Sequence, residues 1–271
     1  MLLFVEMLRL WPDLHFIYGR DSILDPELAM HWHTGIGWSI AEQFSNSSIT
    51  YIHTLAGIYL LLCISLLWHT YTRMASLLLL VLHHAFFLSD DRWSYGADYL
   101  AQTGLLICLL FYPAHPNHAT AQRWSTTGTI LLQCQLMIVY FFGGIGKLAG
   151  ETWRDGEAVW KSIHQPFSGN LIPIPLSFSS YDFIWMISGW SIIVIELMHP
   201  IAWLGKRYRH FILYTTIALH IGIGLFIGLY HFAALMIWYN LCAWYYPYKH
   251  TTTTYKRTPL EDNPERVTST T

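Results

Sequence analysis

Long apolar runs separated by short polar segments constrain the fold of this chain more than any other feature. The runs from Ile49 to His69 and from Thr127 to Ala149 each reach the roughly 20 residues that a helix needs to cross about 30 Å of hydrocarbon. Hydrophobic residues make up 54% of the chain and charged residues 12%, which lies outside the range of soluble globular proteins. Because only helices and closed barrels satisfy their backbone hydrogen bonds in lipid, the sequence predicts an all-α, polytopic integral membrane helical bundle of about 7–8 transmembrane helices.

The apolar runs divide the chain into three parts. Residues 1–48 are predicted to contain a partial first helix, from Met1 to Trp11, and an interfacial loop with a short amphipathic helix. Residues 49–247 are predicted to form the transmembrane bundle, and residues 248–271 a Thr-rich, flexible cytoplasmic tail. Further helices are predicted over 74–88, 99–112, 183–204, 210–228 and 230–245, with a short helix at 156–164 in the long loop that follows the central run.

Charged residues separate by sign between the two ends of the predicted helices. One side collects basic residues, namely Arg73, Arg123, Lys206, Arg207, Arg209, Lys249, Lys256, Arg257 and Arg266. The other side has only four basic residues, Arg20, Arg92, Arg154 and Lys161. It holds most of the acids, namely Asp13, Asp21, Asp25, Glu27, Asp90, Asp91, Asp98, Glu151, Asp155, Glu157 and Asp182. The positive-inside rule therefore predicts that the basic loops and the C-terminal tail are cytoplasmic.

The composition also bounds the partners. The cysteines lie in apolar runs without CxxC spacing, so the sequence suggests neither a disulfide framework nor a metal site. The formal net charge is only −2, and nothing in the pattern points to nucleic acid. Membrane lipid is the partner that the composition predicts.

The central run carries an ionisable residue near its end. Gln133, Tyr140 and Lys147 are spaced seven and seven apart, which places them on one helical face. A lysine at membrane depth costs about 2.5–3.5 kcal/mol, so it usually faces a bundle interior, a partner or a cavity. Desolvation would favour its neutral amine, which can accept a proton. The alternative is that Lys147 extends its ammonium to the interface along its methylene stem.

Other ionisable residues also lie within apolar runs. They are His83 and His84, Glu196, and His220. Glu196 could pair with Lys147, which alone is weak support for catalysis, and His220 could serve a close helix contact through Thr216. A haem site would need facing histidines at matched depth, whereas His84 is expected nearer the outer surface than His220. A lysine, a carboxylate and histidines on separate helices together favour acid–base chemistry.

These residues closely resemble a known family. The segment Gln135-Leu-Met-Ile-Val-Tyr-Phe-Phe-Gly-Gly-Ile-Gly-Lys-Leu, followed by Trp153 and Gly156, resembles the central segment of the vitamin K-dependent γ-carboxylase family and its bacterial relatives, the horizontally transferred transmembrane (HTTM) proteins. Matches also fall at Tyr18-Gly-Arg-Asp-Ser-Ile-Leu, at Tyr95-Gly-Ala-Asp98-Tyr-Leu, and at Glu196 with His220 to Phe232. The resemblance covers most of residues 15–245 and implies a bacterial inner-membrane location.

The resemblance implies a mechanism and the residues that perform it. In the carboxylase, a lysine at the position of Lys147 deprotonates vitamin K hydroquinone, and reaction with O2 yields a strongly basic alkoxide. The alkoxide abstracts the γ-proton of a peptide glutamate before CO2 adds. A histidine that stabilises the glutamyl carbanion corresponds to His84, and His220 matches a further family histidine. His83, Tyr140, Glu196, Asp98 and Trp153 are expected to support this site.

The chain departs from the carboxylase in ways that weigh against full carboxylation of a protein glutamate. Gly146 replaces a second lysine, His83 replaces an asparagine, and the bundle is followed by a short tail in place of a large luminal domain. The lysine-centred site is unaffected by these departures. Two other functions stay open: a maturation factor for a secreted peptide toxin, which would act on a peptide at the outer face, and a non-catalytic scaffold that assembles with a membrane partner subunit.

Overall fold

The computed structural model describes residues 1–18, 49–88, 94–112, 118–165 and 169–245, with the backbone alone for 118–125. These residues are helical apart from turns and short connections and contain no strand, which confirms the all-α prediction for the described part of the chain. The predicted interfacial loop beyond Tyr18 and the predicted cytoplasmic tail lie outside the described residues. The α-helices are α1 Leu2–Leu10, α2 Leu14–Tyr18, α3 Ile49–Leu67, α4 Thr72–His83, α5 Gly96–Phe111, α6 His118–Ala149, α7 Glu151–Arg154, α8 Glu157–Ile163, α9 Asp182–Leu197, α10 Lys206–Gly222 and α11 Tyr230–Asn240.

Three helices continue into wider π-helical turns. These turns extend α4, α10 and α11 over His84–Leu88, Ile223–Ile227 and Leu241–Tyr245, so the predicted apolar runs are realised as an α-helix followed by a π turn. The helix α9 ends at Leu197, before Pro200 enters a 3₁₀ turn, because proline cannot continue the α-helical hydrogen bonds.

The central helix is longer than the sequence predicted. It begins at His118 instead of Thr127, because residues 118–126 contain neither glycine nor proline to interrupt the helix. The predicted short helix of the following loop is confirmed as α8.

Membrane character is concentrated in three of the described helical stretches. Those long and apolar enough to cross a membrane are Ile49–Leu67, Thr126–Ala149 and Lys206–Ile227, and shorter apolar helices cover Thr72–Leu88 and Gly96–Phe111. In the apolar part of each long span, at most 28% of the residues are buried inside the protein. Large apolar side chains therefore face outward, as expected for a surface in contact with membrane lipid.

Most of the helices pack against their neighbours in the chain. The helix α3 packs against α4, α4 against α5, and α5 against α6, which in turn packs against α9. The helices α10 and α11 pair with each other, and α11 returns to contact α5, α6 and α1. One apolar core, around Tyr59 and Phe86, joins α1, α3 and the end of α4, and another, around Leu136 and Met236, joins α5, α6, α10 and α11.

The segment after α6 is held against α9 by close backbone contacts. Gly156 has a φ of 87°, and a Cβ there would lie 2.1 Å from the backbone carbon of Trp185. A Cβ on Gly189 would lie 2.1 Å from the carbonyl oxygen of Trp153. These glycines let α7 and α8 lie directly on α9, which brings Trp153 beside the end of α6.

Candidate functional site

The polar stripe predicted on α6 faces other helices along its whole length. The side chain of Gln133 donates to the carbonyl of Ala243 at 2.7 Å, and the hydroxyl of Tyr140 accepts a hydrogen bond from Asn240 at 2.8 Å. Lys147 is bonded to Glu196 on α9. The seven-residue spacing therefore directs all three polar side chains toward partners inside the bundle.

Lys147 and Glu196 form an ion pair at the contact between α6 and α9. The Nζ of Lys147 donates to both carboxylate oxygens, at 2.9 Å to Oε1 and 2.7 Å to Oε2, and the side chains are 23% and 11% exposed. Trp153 adds a cation–π contact, with its ring centroid 5.1 Å from Nζ. The ammonium of Lys147 is thus paired with a carboxylate and packed against an indole ring.

Glycines of the central motif make room for this pair. A Cβ on Gly143 would lie 3.3 Å from Oε2 of Glu196, and a Cβ on Gly144 would lie 3.0 Å from the backbone nitrogen of Leu197. In contrast, a Cβ on Gly146 would meet nothing within 4 Å. Gly143 therefore leaves space for the carboxylate, and Gly144 lets the two helix backbones approach, as small residues do between membrane helices.

The ion pair lies on the wall of a cavity of about 590 Å³. The seven helices from α5 to α11 all contribute residues to its lining. The residues predicted from the sequence that line it are Tyr140, Lys147, Trp153, Glu196 and His220. The volume falls within the roughly 300–1,000 Å³ of small-molecule sites, and such sites combine apolar walls with a few convergent polar groups.

His220 is buried and fixed in one orientation. Its Nδ1 lies 2.8 Å from the carbonyl oxygen of Thr216 and must donate to it, so the neutral ring carries its lone pair on Nε2. The ring is 2% exposed and packs edge-on against Tyr140, with centroids 5.8 Å apart. The hydrogen bond to Thr216 lies within α10 and does not test the close contact between helices that the sequence left open. The ring of His220 also lines the cavity.

Asn240 and His199 contact Tyr140 without lining the cavity themselves, and sequence reasoning did not select them. The Nδ2 of Asn240 donates to the hydroxyl of Tyr140 and to the carbonyl of Met236, both at 2.8 Å. The Oδ1 of Asn240 faces Nε2 of His199 at 3.4 Å, and the ring of His199 stacks on Tyr140 at 4.2 Å. Because the hydroxyl oxygen of Tyr140 accepts this hydrogen bond from Asn240, the hydroxyl hydrogen of Tyr140 can be donated to another acceptor.

The remaining predicted residues lie away from this cavity. His83 is fully buried and accepts from Tyr59 at 3.0 Å through Nδ1, while its Nε2 donates to the carbonyl of Asp98 at 3.2 Å. Both ring nitrogens are therefore occupied within the protein. His84 is partly buried in the π turn after α4, and Asp98 lines a separate, smaller cavity. Neither is among the residues that line the cavity beside Lys147.

Chemically, the cavity offers a proton-carrying pair, a neutral imidazole and a phenol around a mainly apolar space. Such a set can bind a flat apolar molecule with hydroxyl groups and exchange a proton with it. Within the described residues, no cluster of three or more histidines, cysteines or acids is arranged to hold a metal ion. No protein-family model, no curated protein and no solved structure matches the chain.

Proposed function

We propose that this chain is an integral membrane enzyme of the vitamin K-dependent γ-carboxylase and HTTM type, in which Lys147 acts as a base on a membrane-borne quinol. One observation carries the proposal: the Lys147–Glu196 pair lies on the wall of a cavity large enough for a small molecule. An ionisable pair at membrane depth is costly, and it is usually retained where it contacts a substrate or moves protons.

The cavity suits a quinol by both shape and chemistry. Val139, Ile192 and Phe232 offer apolar walls for a ring system, while His220 and Gln135 offer polar contacts for hydroxyl groups. The lone pair on Nε2 of His220 can accept a hydrogen bond from one hydroxyl, and the hydrogen of Tyr140 can be donated to another oxygen. A quinol oxidised by O2 supplies, in the family, the strong base needed before CO2 adds to a peptide glutamate.

The ion pair provides a balanced route for one proton. Lys147 passes a proton to Glu196 along the 2.7 Å hydrogen bond, which leaves a neutral amine at Nζ. That amine accepts the proton of a ligand hydroxyl, so an O–H bond breaks and an N–H bond forms. The pair then consists of an ammonium beside a carboxylic acid, and the ammonium offsets the negative charge left on the ligand.

The quinol half of the reaction is the half that this cavity supports. The modification of a peptide glutamate at the outer face, with the role of His84 in it, rests on the resemblance to the family. We also propose that the two shorter apolar helices, together with α9 and α11, complete a bundle of about 7–8 spans with its basic loops in the cytoplasm, in a bacterial inner membrane.

An assay of the full chain in lipid nanodiscs tests the proposal. The protein is supplied with a reduced naphthoquinone, O2, labelled bicarbonate and a glutamate-containing peptide, and mass spectrometry follows quinol epoxide and peptide label. We expect Lys147→Met and Glu196→Gln to slow epoxide formation by about 10²-fold or more, the usual contribution of a general base.

The matched control is a second lysine–glutamate pair on the surface of the same chain. The Nζ of Lys161 lies 2.7 Å from Oε1 of Glu157 in α8, and the side chains are 66% and 46% exposed, so Lys161→Met should leave turnover unchanged. Formation of quinol epoxide without label on the peptide would support Lys147 as the base and would exclude a peptide glutamate as the second substrate. Equal rates for wild type and the Lys147 variant would overturn the role of the lysine.

A scaffold function is the second candidate, because the pair also joins two helices. Glu196 accepts from Lys147 at both oxygens, and such a pair can be replaced by apolar residues without loss of stability. The double variant Lys147→Met with Glu196→Met separates the two functions. A folded double variant without turnover supports the enzyme, whereas a folded wild type without any turnover supports the scaffold.

A further inference from the structure

A second cavity lies on the other side of the first turn of α5. It measures about 250 Å³, and its lining includes the charged residues Glu6, Arg9, Asp13 and Asp98 with Tyr18 and Tyr95. Gly96 and Tyr99 from the same turn line the cavity beside Lys147. The two cavities therefore share one helical turn as a wall, but none of the proton-transfer residues proposed above lines the smaller one.

Asp98 places an unpartnered acceptor at this cavity. The residue is 1% exposed, and its Oδ2 accepts from the backbone N–H of Tyr95 at 2.9 Å, which caps α5. Its Oδ1 is buried and has no hydrogen-bond partner among the residues that the structure describes. A buried acceptor left without a donor is costly, so a ligand that supplies a donor at this position gains binding free energy.

The charges around Asp98 favour a cationic ligand. Glu6 and Asp13 line the same cavity, against Arg9 as its basic lining residue. Glu6 approaches His231, with Oε2 and Nε2 2.8 Å apart, so part of its charge is offset when that histidine is protonated. Three carboxylates facing one guanidinium in a half-buried site attract positive charge and concentrate it there.

The hydrogen-bond acceptors of this cavity distinguish between kinds of cation. Within the described part of the chain, histidines, cysteines and acids form no group suited to a metal ion. An acceptor such as Oδ1 of Asp98 is satisfied by an N–H donor, which a quaternary ammonium lacks and a primary ammonium has. A cavity of about 250 Å³ has room for a primary ammonium with a small group attached to it, and for little more. Arg9 could contact an anionic group attached to the same ligand.

We propose that this cavity binds a primary ammonium group, with Asp98 and Glu6 as its acceptors. The ammonium belongs either to a small soluble amine or to the head group of an aminophospholipid, and the two sources share the same chemistry. The site is independent of the proton-transfer function proposed for Lys147, so either proposal can fail alone.

Thermal unfolding of the purified full chain in maltoside detergent tests the binding of a free ammonium. Ethylammonium chloride is compared with tetramethylammonium chloride and sodium chloride at equal ionic strength. We expect ethylammonium alone to raise the unfolding midpoint in a saturable way, since a ligand that binds only the native state stabilises it. A response equal to that of tetramethylammonium or sodium would overturn the proposal.

Substitutions assign the binding to the acidic residues. Asp98→Asn retains a side-chain oxygen to cap α5 and should weaken ethylammonium binding about tenfold or more, because a charge-assisted hydrogen bond is lost. Glu6→Gln should weaken it in the same direction and carries the test if the Asp98 variant does not fold. Glu157→Gln, on the exposed face of α8, is the control and should bind as wild type does. Unchanged binding in both cavity variants would contradict the proposal.

Native mass spectrometry separates the two sources of the ammonium. The protein is released from nanodiscs that contain either phosphatidylethanolamine or phosphatidylcholine, in each case with phosphatidylglycerol. Retention of phosphatidylethanolamine by wild type and its loss in Asp98→Asn identify a lipid head group. Binding of ethylammonium without a retained lipid identifies a soluble amine, and binding of neither would leave only water at Asp98 and overturn the proposal.

Discussion

At the scale of single residues, Asn240 determines how Tyr140 is presented to the cavity. Its amide donates to the hydroxyl of Tyr140 and its oxygen faces His199. We expect Asn240→Leu to destabilise the protein by about 1–3 kcal/mol, because the substitution leaves buried polar groups without partners. Denaturant or thermal unfolding in detergent measures this change.

The same interaction can be isolated by a double-mutant cycle. Adding Tyr140→Phe to Asn240→Leu removes one of the orphaned groups, so the two changes together should cost less than their sum. Asn170→Leu is the control, since Asn170 is only partly buried and makes a long 3.4 Å hydrogen bond to Ile163, which water can replace. Strict additivity of the Tyr140 and Asn240 changes would show that the two side chains act independently.

The sequence could predict some of these residues because of their spacing. Gln133, Tyr140 and Lys147 share a face by the geometry of a helix, and the structure places all of them against other helices. Asn240 and His199 lie singly in apolar surroundings and have no periodic partner. The rule that selected His220, that a polar residue at membrane depth is a candidate for function, would also have selected Asn240.

At the scale of helices, Gly144 sets the distance between α6 and α9. A Cβ there would lie 2.9 Å from Cγ of Leu197 and 3.0 Å from its backbone nitrogen, and a backbone atom cannot move aside as a flexible side chain can. We expect Gly144→Val to separate the helices, to weaken the Lys147–Glu196 pair and to cost about 1–3 kcal/mol, as overpacking usually does.

A neighbouring glycine supplies the control for this substitution. Gly146 lies in the same helix, and nothing lies within 4 Å of the position where its Cβ would be, so Gly146→Val should have a much smaller effect on the unfolding midpoint. The comparison removes the general cost of valine in a helix, which is common to both variants. Equal destabilisation by the two valines would mean that the contact with Leu197 is not tight. The sequence showed the glycines of the motif but could not show which of them faces α9.

At the scale of the whole molecule, helix length limits what hydrophobicity can predict. The helix α9 contains 16 residues, which span roughly 24 Å at 1.5 Å per residue and fall short of the roughly 30 Å hydrocarbon layer. The apolar run was longer, but Pro200 turned its end into a 3₁₀ segment. Apolar runs therefore predicted the helices well, whereas the number of complete membrane crossings depends on the turns that end them.

The orientation of the bundle is a separate prediction, since it follows from charge and not from packing. Arg73 lies on the side that collects most of the basic residues, whereas the loop after the central span has only Arg154 and Lys161. The positive-inside rule therefore places residue 70 in the cytoplasm and residue 180 outside. Both Thr70 and Ser180 are exposed, and each can carry a single cysteine in a background where Cys63, Cys108, Cys134 and Cys242 are replaced by serine or alanine. A membrane-impermeant maleimide should label Ser180→Cys in intact cells and Thr70→Cys only after permeabilisation. The reverse labelling pattern would mean that the bundle has the opposite orientation. The end of α6 that bears Lys147 would then lie at the cytoplasmic face, where a peptide substrate at the outer face could not reach it.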